Sequence, residues 1–143
     1  MYSVGDYTFH PHKVAWMDIS STVKAAVLPE GEGNQLIVPE HTVIFATAGS
    51  ADEAHYVAAV LNSEPVGTIV AGYIVDNHLS THPLENVIVP RFDPKATIHQ
   101  ELVKLSRACH LAANEADSAP VAELEKLINE AIKELWAGEI ARG

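Results

Sequence analysis

Residues 62–94 read NSEPVGTIVAGYIVDNHLSTHPLENVIVPRFDP, and the fold turns on how the first third of that stretch is assigned. Val66 to Val75 is β-branched and contains two glycines, so helix and strand propensities are nearly balanced. Pro65 tilts the balance, because proline suits the first turn of a helix, where its missing N–H would have no partner anyway. The segment is therefore read as a second helix of an insertion rather than as a further strand. Asp76 to His82 is then polar and carries two histidines, and Leu84 with Asn86-Val87-Ile88-Val89-Pro90 closes the stretch as a short strand stopped by proline.

Upstream, the sequence reads as β structure. Tyr7 and Phe9 alternate, Val14 and Trp16 alternate within KVAWMD, and VKAAVL, QLIVP and VIFATA are short β-rich runs punctuated by Pro29, Gly31, Gly33 and Pro39. Ser50 and Glu53 then form a capping box opening a helix over about 51–62, with Ala54, Val57, Ala58 and Leu61 on one stripe. Downstream, Thr97 and Gln100 make a second capping box, and Ile98, Leu102, Leu105, Cys109 and Ala112 keep an apolar face to about residue 114. A last helix starts near Ser118 and Pro120, carries Val121, Leu124, Ile128, Ala131 and Leu135, and stops at Gly138. Its stripe and that of the preceding helix pair across a short turn. The expected fold is α+β in a single domain over 1–143. Residues 1–49 are β-rich and form a small twisted, mostly antiparallel sheet; 50–94 hold the inserted helices, the polar loop and the closing strand; 95–143 form an antiparallel helical hairpin.

Composition narrows the function classes. A chain of 143 residues with 48% hydrophobic and 20% charged residues can bury a core without staples. Its single cysteine, Cys109, excludes an internal disulfide framework and fits a reducing, cytoplasmic setting. No secretory signal opens the sequence and no apolar run approaches a membrane span, so no membrane partner is expected. The abrupt β pattern after Met1 suggests a fragment of a larger enzyme. Nineteen acidic against nine basic residues argue against a strong nonspecific grip on nucleic acid. The deficit is local, however. Residues 30–64 hold six acids and no Lys or Arg, and 111–143 hold seven acids and three bases, while 1–29 and 65–110 are balanced and carry six of the eight histidines. An anionic partner would meet those balanced stretches.

No catalytic constellation emerges. Gly31-Glu32-Gly33 lies in an acidic loop without the third glycine or basic neighbour of a phosphate cradle. Nucleophile-elbow, CxxC and HExxH patterns do not occur. Cys109 sits on an apolar helical stripe and reads as packing. His10 with His12, and His78 with His82, lack the third ligand that a metal would need. His55 and His110 fall within helices and read as surface or capped side chains, and Trp16 reads as core.

The blocks YTFHPHKVAWMDIS, ADEAHYVAAVLNSEPV, HLSTHPLENVIVPRFDP and IHQELVKLSRACHLAA, in that order, resemble the C-terminal target-recognition domain of N6-adenine DNA methyltransferases from restriction-modification systems, the TaqI-like specificity domain. The resemblance runs from Tyr2 to the final helix. Type I specificity subunits show a similar plan, in which a strand ending in proline leads into a long helix, as Val87-Ile88-Val89-Pro90 does before Thr97 to Asn114.

This resemblance implies a domain that reads double-stranded DNA while a catalytic methyltransferase domain of the parent chain holds S-adenosylmethionine and the flipped adenine. The Asn/Asp-Pro-Pro-Tyr/Phe motif of that catalytic half does not occur in this sequence, so no cofactor is expected on this chain. Asn77, His78, Ser80, Thr81 and His82 are short donors and acceptors suited to base edges or phosphate oxygens. His10, His12 and Lys13 form a second candidate DNA surface, and Arg91 follows the closing strand within reach of a phosphate. The competing expectation is an acidic protein-interaction or scaffolding module without DNA binding; association into a homodimer is left open.

Overall fold

Val14 and Trp16 lie in a five-residue strand, β1 (Lys13–Met17), because a β-branched and aromatic run packs well on a pleated surface. In the computed structural model, which describes residues 5–18, 20, 22–30, 37–38, 42–73, 87–115 and 119–142, β1 is the centre of a three-stranded sheet of order β2-β1-β3. β2 (Ala26–Val27) and β3 (Val43–Thr47) both run antiparallel to it. Val14 opposes Val27 on one side and Ala46 on the other, and Trp16 opposes Ile44. A central strand covered on both faces buries residues of both parities, and Lys13, Val14, Ala15 and Trp16 are all buried. The indole N–H of Trp16 is sealed in with no acceptor among the described residues.

The outer edge of β2 is closed by side chains. Ala25 and Val27 point their backbone groups away from β1, since Leu28 N–H donates to Lys13 O on the inner side. Asn62, at the C-cap of α1 (Ala51–Leu61), accepts from Ala25 N–H at 2.7 Å and donates to Ala25 O at 2.8 Å. Val27 N–H donates to His110 Nε2 at 3.0 Å. A bare edge invites another chain to pair, so two polar side chains here replace a fourth strand.

α1 is the central helix. Ser50 caps it by accepting from Glu53 N–H at 3.1 Å, while the Glu53 carboxylate reaches back to Gly49 N–H at 2.6 Å, one residue beyond the amide that a capping box uses. It contacts β1, β2 and the later helices, and so buries Ala54, His55, Tyr56, Ala58, Ala59, Val60 and Leu61 rather than a single stripe. α2 (Glu64–Ala71) bears out the helical reading of the opening stretch as far as Ala71, with Pro65 in its first turn, while Ile74 and Val75 lie outside the described residues. α3 (Thr97–Asn114) and α4 (Ala119–Arg142) pack along each other. Cys109 faces Glu125 while His99 faces Glu139, so the pair is antiparallel. Leu102 and Ile132 are fully buried in this layer, where truncation to alanine costs about 2 to 5 kcal/mol.

Five local expectations fail for identifiable reasons. Tyr7 and Phe9 belong to a 3-10 turn, Asp6–Phe9, closed by Thr8 N–H to Gly5 O at 2.9 Å; it buries Thr8 and leaves Tyr7 and Phe9 half exposed. Of the QLIVP run, Ile37 and Val38 are not in a strand, and Gln35, Leu36 and Pro39 lie outside the described residues. Residues 87–90 pair with no strand among the described residues, and the carbonyls of Ile88 and Pro90 are taken by side chains instead. Thr97 caps nothing. The entry to α3 is set by an Asp93 turn, with Lys95 N–H on Asp93 Oδ1 at 2.9 Å and Gln100 Nε2 donating to Pro94 O. Finally, Gly138 does not end α4, since Glu139 to Arg142 are sound helix formers and continue it.

Candidate nucleic-acid interface

The limb 87–93 is irregular, yet three helices grip it. Trp136 of α4 donates its indole N–H to Ile88 O at 3.2 Å, Tyr56 of α1 donates its hydroxyl to Pro90 O at 2.9 Å, and Asp93 N–H donates to His99 Nδ1 of α3 at 2.9 Å. Behind these bonds the rings of Tyr56, Phe92 and His99 form one cluster, with Tyr56 and His99 centroids 4.6 Å apart. Burial pushes the Tyr56 hydroxyl up, with Glu139 adding to it, and pushes His99 down against the pull of Asp93 and Glu139. Both stay neutral, so the tyrosine remains a donor and His99 Nδ1 remains an acceptor. Arg91 projects from the middle of this limb. It is exposed and lines an open cleft of about 520 Å³ with Glu134, Glu139 and Arg142. Arg142 is tied to Glu139 at 2.9 Å, whereas Arg91 has no ion pair among the described residues.

At the opposite end of the sequence, His10 and His12 flank Pro11 just ahead of β1 and are half-buried. His12 N–H donates to His10 Nδ1 at 3.4 Å, and the His12 ring meets Glu30 at 3.2 Å. Lys13 corrects the expectation of a DNA contact. It is 2% exposed, and its ammonium donates to Ile37 O at 3.0 Å, with burial lowering its pKa. Central position in the sheet decides this, since both faces of β1 are covered. Asn77, His78, Ser80, Thr81 and His82 lie outside the described residues.

His55 also differs from its surface reading. It is buried, with Nδ1 3.0 Å from Ser106 Oγ and the His110 ring edge-on at 4.9 Å. Burial, then His110 and Arg107, push it down to about 4 against the opposing pull of Asp52. The signal for this was present: a helix apolar nearly all round, as Ala54 to Leu61 is, belongs inside. His110 is capped as expected, donating from Nδ1 to Ser106 O at 2.7 Å while Nε2 accepts from Val27 N–H. Cys109 packs against the core, and burial raises its thiol.

Among the described residues no three His, Cys, Asp or Glu side chains converge as a metal site, and no helix is long and apolar enough to cross a membrane. No family model matches the chain, and no curated protein matches it either.

Proposed function

We propose that the chain is a DNA target-recognition domain, working in the cytoplasm beside a catalytic domain that binds S-adenosylmethionine and methylates adenine at N6 in a restriction-modification enzyme. The observation that carries this reading is the limb 87–93. An irregular segment held at three points by neutral side chains from three helices is a rigid mount, and such mounts present recognition groups at fixed positions. Arg91 rides on it, and the polar residues Asn77 to His82 precede it in sequence. The order of blocks that resembles adenine-methyltransferase specificity domains supports the same reading.

The test is fluorescence anisotropy of the chain against pooled random-sequence duplexes at two low salt concentrations. Binding that weakens with salt supports DNA recognition; no binding at either concentration counts against it. In the parent enzyme, a His78→Ala, His82→Ala variant should relax target choice while leaving the fold intact, and unchanged target choice would remove those residues from the interface. A second reading, an acidic protein-interaction module, is favoured by α4, where Glu123, Glu125, Glu130 and Glu134 are all exposed. It gains the lead if the duplexes fail and a lysine-rich peptide binds.

A further inference from the structure

A cleft of about 680 Å³ opens between the β2–Pro29 segment and helices α1 and α3, lined by His12 and Glu30 from one side and by His55, Arg107 and His110 from the other. The proton on His55 can be placed. Ser106 Oγ has His55 Nδ1 as its partner among the described residues. A buried hydroxyl with one neighbour able to accept donates to it, because its hydrogen would otherwise be unpaired. His55 thus accepts at Nδ1 and carries its own proton on Nε2. That N–H has no described acceptor, although the residue is 9% exposed. It is not sealed, since Trp16 Nε1 is the one buried side-chain polar atom without a partner among the described residues, and so it opens to the cleft that the ring lines.

Two further donor groups border the same cleft. Arg107 gives one guanidinium nitrogen to Asp52 at 2.7 Å and keeps its other N–H groups. Ala51 opens α1 at the edge of the cleft. Ser50 takes the N–H groups of Glu53 and Ala54, while those of Ala51 and Asp52 have no described acceptor. His110 adds nothing, because both of its nitrogens are in use. A guanidinium, a neutral ring N–H and first-turn amides form a donor set, and the ligand with many acceptor lone pairs that fits it is an oxyanion. We infer that this cleft holds a phosphate group, bound by His55 Nε2–H, the Arg107 guanidinium and the first-turn amides of α1. Asp52 and Glu30 outweigh the single charge of Arg107, so the cleft works through directed donors rather than net charge, and Asp52 competes with the phosphate for Arg107. The phosphate belongs either to a duplex backbone, which rests on the DNA-recognition reading, or to a free phosphate compound, which does not.

The experiment titrates inorganic phosphate, and separately the pooled duplexes, into the 143-residue chain and its Asp52→Asn and Arg107→Gln variants, following the His55 ring by proton–nitrogen NMR. Phosphate should shift the His55 Nε2 signal while leaving His99 in place. Asp52→Asn should tighten phosphate about threefold to tenfold, and Arg107→Gln should weaken it by a similar factor. Both substitutions break the same ion pair, so a purely structural disturbance would move both in one direction; opposite signs support the site, and equal signs overturn it. A phosphate response with no duplex binding supports the cleft and removes DNA as the source. Duplex binding that neither variant alters, with a silent His55 ring, overturns the cleft and leaves DNA recognition standing.

Discussion

His55 folds neutral and unfolds into water, where an ordinary histidine titrates near 6.5. Its folded pKa of about 4 means that the unfolded chain binds more protons between these values. Stability therefore rises with pH across that window: the contribution is complete above about 6.5 and is lost as pH falls towards 4. Burial sets this value first, with His110 and Arg107 also opposing protonation, Asp52 favouring it and Ser106 occupying Nδ1. The loss is on the order of 2 to 3 kcal/mol, and urea unfolding at pH 7 and pH 4.5 should show it; the His55→Gln variant should show a correspondingly smaller loss, since it removes this one titration. Lys13 makes the complementary case. Its hydrocarbon stem is enclosed and its ammonium is spent on Ile37 O, so Lys13→Met should leave both duplex affinity and its salt dependence unchanged in anisotropy. A weakened salt dependence would put Lys13 back on the surface.

Among the elements, α4 shows why a glycine in a sequence does not settle a helix end. Gly138 is exposed, and a methyl group added there would meet nothing within 4 Å. With the helix continuing to Arg142, Gly138→Ala should raise stability by about 0.5 to 1 kcal/mol, read as a higher urea midpoint at constant slope. If the helix ended at Gly138 in a left-handed turn, the same change would lower it. The helices were the legible part of the fold: the apolar spacing of Ile98, Leu102, Leu105 and Cys109 placed α3 over the residues it occupies, and Ser50 with Glu53 marked the start of α1. The strands were less legible. Tyr7 and Phe9 alternate like a strand but are closed into a turn by local hydrogen bonds, and Val87 to Pro90 have strand composition but no partner edge. A strand is defined by what it pairs with, and residues alone do not name the partner.

For the whole molecule, charge and geometry set how DNA would be held. The chain carries a net charge of −10, Lys13 is buried, and Arg107 and Arg142 are shared with Asp52 and Glu139. Arg91, the remaining N–H groups of Arg107 and a few exposed lysines are left for phosphates, so the log–log dependence of duplex affinity on salt should have a slope of only about −2 to −4. A slope near −8 would require a basic face that the described residues do not form, whereas binding restored by a catalytic domain in trans would identify the source of the remaining contacts. Part of the candidate site was visible beforehand, since Arg91, His10 and His12 stand out as polar residues beside apolar runs. The anchors of the limb were not. Tyr56, His99 and Trp136 are separated by long stretches of sequence, and they converge only because α1, α3 and α4 pack together. The sequence by itself determined the α+β class, the helical insertion after β3 and the pairing of the last two helices, because hydrophobic period and capping chemistry act over a few residues. Only the tertiary structure decided which polar groups are available. Lys13 lies inside, His55 is buried against Ser106, and Asn62 with His110 closes the sheet edge, because burial and hydrogen-bond partnership depend on neighbours that are distant along the chain.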